Sequence, residues 1–147
     1  MKIRINTEQS LQETEIVINC KKISPEIERL LSLLKTFAMK LEGKKNGQTF
    51  ILDVSDILYI DTVDKKTFFY TVTEFYETSL KLYELEERLC KADFFRANKS
   101  CILNFQKIKA LKADLAGRIL VTMINGERLY VSRQYASILK RKLGWKS

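Results

Sequence analysis

Between Gln48 and Val131 the chain breaks into short runs of β-branched and aromatic residues, each closed by turn residues. Runs of this length and composition are strands, and so many in succession commit the chain to packed antiparallel sheets rather than a helical bundle. The runs are Gln48 to Leu52, Ile57 to Ile60, Thr67 to Thr73 and Tyr76 to Ser79, with turns at Asp53 to Asp56 and Asp61 to Lys66. After a helix from about Lys81 to Cys90, carrying Leu82, Leu85 and Leu89 on one face, strands recur at Lys107 to Leu111, Arg118 to Met123 and Arg128 to Val131. Asn125-Gly126 between the last two predicts a type I′ hairpin, whose central residues both need positive φ. Arg133 to Leu143 closes the chain as a short basic helix with Tyr135, Ile138 and Leu139 inward. With 147 residues, 46% of them hydrophobic, the chain can bury one good core and a minor appendage.

The appendage is residues 1–43. Lys2 to Asn6 and Glu15 to Asn19 alternate with period two and read as strands. Ser24-Pro25-Glu26 then starts a helix, with serine as cap, proline in the first turn and acid near the positive end of the dipole. Ile27, Leu30, Leu31, Leu34 and Phe37 follow at helical spacing, and Gly43 with the turn Lys44 to Gly47 is the expected stop. The expected division is a ββα segment over 1–43 and a main domain over 44–147. The helix stripe needs a cover, from its own two strands, from the main domain or from a second copy of the chain, and a homodimer formed through this segment is the expectation. No signal-like or membrane-length apolar run is present, so no membrane partner and a cytoplasmic location are expected.

Chemistry by catalysis finds little support. The chain has no histidine, only five glycines, and no phosphate-binding glycine pattern. Neither a catalytic residue, a metal site, a cofactor nor a small-molecule substrate is expected. Asp53, Asp56, Asp61 and Asp64 read as turn formers, and Cys20, Cys90 and Cys101 as reduced, mostly buried thiols. Charge points elsewhere. The formal net charge is +8 with a pI near 9.4, which favours a polyanionic partner. Residues 1–43 account for a net of +1 and residues 44–147 for +7, and Arg128 to Gly144 contains no acid. Basic and polar side chains fall in three inter-strand loops: Asp64-Lys65-Lys66, Arg96 to Ser100 after the pair Phe94-Phe95, and Ser132-Arg133-Gln134. Arginine and lysine neutralise phosphates or read guanine, and asparagine and glutamine read adenine.

The order of several pieces is more specific. Ile57 to Asp61, Tyr76 to Leu80 leading to Leu85 to Leu89, Phe94-Phe95-Arg96-Ala97-Asn98-Lys99-Ser100 with Cys101 to Asn104, and Asn125-Gly126 with Val131 to Tyr135 together resemble the LytTR DNA-binding family, from about Lys44 to Leu143. The resemblance implies a mainly β fold with short helices, built of stacked antiparallel sheets. It also implies loops, rather than a recognition helix, entering successive major grooves of double-stranded DNA. Arg96 and Lys99 fall on family DNA-contact positions, as do the loop around Lys65 and Lys66 and the junction at Arg133 and Gln134. The roles expected are Arg96 and Arg133 for base edges or flanking phosphates, Lys66 and Lys99 for phosphates, and Asn98 and Gln134 for polar contacts near bases. Relatives often carry a second basic residue where this chain has Gln134, so the bases read do not transfer. The implied function is that of a short stand-alone bacterial transcription regulator. An RNA-binding or pure protein-interaction module with a basic surface is the alternative, separated by the salt dependence of duplex binding.

Overall fold

The computed structural model describes residues 1–145 and is mainly β, as expected. A helix, α1 (Pro25–Ala38), precedes five strands, β1 (Lys40–Lys45), β2 (Gln48–Asp53), β3 (Tyr59–Val63), β4 (Lys66–Tyr70) and β5 (Phe75–Thr78). Helix α2 (Leu82–Arg88) leads into β6 (Phe94–Asn98) and β7 (Cys101–Asn104). The chain continues through β8 (Ile108–Ala113), β9 (Ile119–Met123) and β10 (Arg128–Val131) to α3 (Arg133–Leu143). The first seven strands form one sheet in the order β2-β1-β5-β4-β3-β7-β6, and the last three a second in the order β10-β9-β8. Every pairing is antiparallel.

The large sheet buries both faces of its central strands. One face presents Ile57, Ile60, Phe69, Phe94 and Ile102 to Leu82, Leu85 and Leu89 of the α2 region. The other presents Tyr59, Phe95, Cys101 and Leu103 to Ile119, Val121, Met123 and Val131 of the second sheet and to Ala136 and Leu139 of α3. Fully burying each of these large aliphatic or aromatic side chains contributes about 1.5 to 3 kcal/mol. Asn104 is the polar pin between strands: its amide Nδ2 donates to the Ile57 carbonyl at 2.9 Å and its Oδ1 accepts from the Gln106 amide at 3.0 Å.

Several expectations need correction. Lys2 to Asn6 and Glu15 to Asn19 pair with nothing and form no strand, so of the ββα segment only the helix is present. That helix ends at Ala38, and Lys40–Lys45, expected as its tail and stop, is a strand of the large sheet. Its residues have low strand propensity, and what holds them is pairing on both sides, with β2 and with β5. Gly43 belongs there because a Cβ would meet the Tyr76 Cβ at 2.7 Å. The type I′ hairpin geometry appears at Asn46-Gly47, with φ of 52° and 76° between the partners Lys45 and Gln48. At Asn125-Gly126 only the glycine has positive φ, and the Gly126 amide closes a turn onto the Met123 carbonyl at 2.9 Å. Arg96 to Ser100, expected as a loop, is divided: Arg96 to Asn98 belong to strand Phe94–Asn98, and only Lys99 and Ser100 form the turn to Cys101–Asn104. Cys101 is buried, but Cys20 and Cys90 are exposed. Among the described residues no helix is long and apolar enough to cross a membrane.

Asn104→Leu leaves the Ile57 carbonyl buried without a donor, and a group so stranded costs about 1 to 3 kcal/mol. The denaturation midpoint should fall accordingly with an unchanged slope, and a variant as stable as the parent would remove Asn104 as the pin.

Candidate nucleic-acid interface

Antiparallel register brings the three basic segments to one edge of the molecule. The turn between β3 and β4 and the turn between β6 and β7 lie at the same end because Asp61 pairs with both Phe68 and Cys101. The Thr62 amide donates to the Ser100 carbonyl at 2.9 Å, tying these turns together. The third segment is attached through an irregularity in β6. Register with β7 shifts between Arg96 and Asn98, so Ala97 has no ladder partner there. Its carbonyl instead accepts from the Ser132 amide at 2.9 Å, at the start of α3. Asn98 Nδ2 adds a bond to the Tyr130 carbonyl at 3.0 Å.

Each predicted residue can now be placed. Asp64 and Lys65 occupy the two central positions of the β3–β4 turn with φ of 51° and 67°, a left-handed geometry that costs an L-residue such as lysine roughly 1 to 2 kcal/mol. Lys65 and Lys66 project from this turn, both exposed. Lys99 is at the tip of the next hairpin, and Arg133 and Gln134 begin α3, all three exposed. Asn98, Lys99, Ser132, Arg133 and Gln134 surround an open concavity of about 740 Å³. The Arg133 stem lies across the turn joining β8 and β9, where a Cβ on Gly117 would meet Arg133 Cδ at 2.8 Å. Lys65, Lys66, Lys99 and Arg133 make no ion pair with any described carboxylate.

Arg96 behaves differently. It stands on a strand, and its side chain is only 15% exposed. Its Nε donates to the Asn98 carbonyl at 2.8 Å, its Nη2 to the Lys99 carbonyl at 2.6 Å and its Nη1 to Glu86 at 2.9 Å. Asn98 is similarly engaged, its Oδ1 accepting from the Ser100 amide and hydroxyl. Both residues therefore shape the hairpin that carries Lys99. Asp61, expected as a turn former, is instead a residue of strand β3 directly behind this edge. Burial raises its carboxyl above the usual range, the Tyr70 hydroxyl acts in the opposite direction, and Oδ1 has no hydrogen-bond partner. Tyr70, stacked on Tyr59 with centroids 4.4 Å apart, is pushed up to about 12, chiefly by burial. Burial likewise pushes the Cys101 thiol up to about 12, which keeps it protonated and unreactive at neutral pH.

Comparison with known proteins settles the family. The description "LytTr DNA-binding domain" matches residues 47–144. The chain belongs to the LytTR DNA-binding family. A LytTr DNA-binding domain from Bacillus cereus superposes with a TM-score of 0.68 at 32% identity, covering 72% of this chain and 97% of that one. The sensory transduction protein LytT of Bacillus anthracis is 34% identical over 93 residues, which are 63% of this chain but 38% of that protein. A Staphylococcus aureus protein described as an uncharacterized HTH-type transcriptional regulator is 26% identical over 145 residues, 97% of this chain and 98% of its own length. In this LytTR chain the described α-helices are separated by strands, so no helix-turn-helix is formed among the described residues.

Arg96 itself is mostly buried and its Nε bond to the Asn98 carbonyl is part-buried, with the Nη2 bond to the Lys99 carbonyl more open, whereas Glu86 is half exposed and its ion pair contributes little. Arg96→Ala should lower stability by about 1 to 3 kcal/mol, and Glu86→Ala by less than about 0.5 kcal/mol. Thermal unfolding of the two variants checks this; equal losses would shift the role to the ion pair.

Proposed function

We propose that this chain is a cytoplasmic transcription regulator that reads duplex DNA through the edge formed by the β3–β4 turn, the β6–β7 turn and the start of α3, with these loops entering successive major grooves. The observation carrying this reading is the convergence of Lys65, Lys66, Lys99 and Arg133, without an ion pair to any described carboxylate, from three distant parts of a LytTR domain onto one edge. The first turn of α3 strengthens it. Ser132 caps the helix without a side-chain hydrogen bond, and Ser132, Arg133 and Gln134 at this positive dipole end line the concavity together with Lys99, an arrangement suited to a phosphate. Lys65, Lys66 and Lys99 neutralise phosphates, Arg133 and Gln134 reach base edges, and Arg96 and Asn98 hold the Lys99 hairpin in position.

Arg133→Ala should weaken binding to a specific duplex by about 1 to 3 kcal/mol with thermal unfolding nearly unchanged. Lys66→Ala or Lys99→Ala should weaken cognate and unrelated duplexes alike and lower the slope of log affinity against log salt by about one unit each. Fluorescence titration over a salt series reads both. Wild-type affinities and slopes throughout would remove this edge as the binding surface and favour the protein-interaction reading.

The same proposal includes a homodimer formed through the N-terminal segment. The main contact of α1 with the rest of the fold is at the 3-10 turn Val54–Asp56, and it leaves Leu33 exposed and Phe37 76% exposed, while Ile3, Ile5, Ile16 and Val17 of the same segment are also exposed. So many uncovered apolar side chains in one segment mark an association surface, and two copies would present paired edges to half-sites roughly 34 to 36 Å apart. Light scattering should give a dimer for the parent and a monomer for Leu33→Asp, Phe37→Asp, which keeps single-site affinity but loses the two-site advantage. A monomeric parent at working concentration would refute the dimer.

A further inference from the structure

The charge of the molecule is divided between its layers. Residues 40–106, which contain the whole large sheet and α2, carry ten basic and eleven acidic side chains, a net of −1, despite holding Lys65, Lys66, Arg96 and Lys99. Residues 107–145, which contain the small sheet and α3, carry nine basic and two acidic side chains, a net of +7. The long-range attraction for a polyanion therefore comes from the small sheet and α3, and of the proposed contacts only Arg133 and Gln134 lie there.

The small sheet turns one face inward, with Ile119, Val121, Met123 and Val131 buried. On its other face Lys112, Leu120 and Tyr130 are aligned by pairing, and Ala110, Thr122 and Arg128 form the next row. Lys112 and Arg128 are exposed and make no ion pair with a described carboxylate. Arg118 lies against the Tyr130 ring, 4.4 Å from its centroid, and is held from behind by Asp114, which offsets part of its charge. This face begins at the loop edge itself: Tyr130 gives its carbonyl to Asn98, and Gly117, next to Arg118, carries the Arg133 stem.

We infer that the outward face of the β8–β10 sheet, centred on Lys112, Arg118, Arg128 and Tyr130, is a second DNA surface that holds the phosphate backbone flanking the segment entered by the loops. It rests on the proposed function and divides the labour within it. The loops meet a short stretch of duplex, and the sheet face, without a groove-entering projection, lies along the backbone beyond it. Contacts of this kind are independent of sequence and release counterions. Their contribution needs duplex long enough to reach them.

The test compares Lys112→Gln, Arg128→Gln with the parent on two duplexes of the same central site, one cut close to the loop contacts and one extended by about a helical turn on each side. The parent should bind the extended duplex more tightly and with a steeper salt slope. The double variant should lose about two units of that slope on the extended duplex, bind the short one like the parent, and unfold at the parent temperature. The charge-preserving Lys112→Arg, Arg128→Lys should restore the slope. An unaltered slope on the extended duplex, with the parent binding both, overturns the second surface alone; a parent that binds neither overturns the DNA reading and this surface with it.

Discussion

The carbonyl of Ala97, left without a partner in the strand ladder, is the point on which the arrangement depends. A large sheet ending at β6 would expose an edge ladder, and a second sheet with its helix must dock without leaving backbone groups unsatisfied. The register shift in β6 answers both requirements by turning Ala97 toward the Ser132 amide, while Asn98 reaches the Tyr130 carbonyl. Those bonds fix where α3 starts relative to the Lys99 hairpin. The apolar contact of Phe95, Cys101 and Leu103 with Ile119, Val121 and Leu139 supplies the energy, but apolar burial is non-directional and does not by itself set this alignment.

Asp93 holds the opposite end of α3. Its Oδ1 meets Lys142 at 2.6 Å, its Oδ2 meets Gln106 at 2.5 Å, and its amide donates to the Thr36 hydroxyl of α1 at 3.3 Å. With Ser132 anchored at one end and Lys142 at the other, α3 is fixed along its length, and the terminal side chains Arg133 and Gln134 project from a rigid base. Presentation by a rigid base matters for loops that read a duplex, since freezing a mobile loop on binding consumes affinity.

Arg96 shows why residue type alone is a weak guide to role. An arginine in a basic segment reads as a contact to the partner, yet its five donors are equally suited to gathering carbonyls of a tight turn. The bonds to Asn98 and Lys99 show that second use in the unbound chain. Lys65 is the converse case: an unfavourable left-handed backbone at a lysine, where glycine would be relaxed, places a positive side chain at the tip of a turn.

The sequence by itself determined the class of fold, the family, the terminal helix Arg133–Leu143 and the three segments that meet at the edge. These were legible because half-buried strands and amphipathic helices write their period into the chain. Strands β6 and β7 were not legible, since Phe94, Phe95, Ile102 and Leu103 are buried on both faces and no alternation survives. β1 was hidden for the opposite reason, a polar run made into a strand only by its two neighbours. The unpaired state of Lys2 to Asn6 and Glu15 to Asn19 was equally beyond reach, because an alternating pattern states which face a strand would bury and not whether a partner strand is there. Tertiary structure alone decided that Arg96 and Asn98 are engaged within the fold, because their partners are fixed by register, by the β6 bulge and by the docking of one sheet on another.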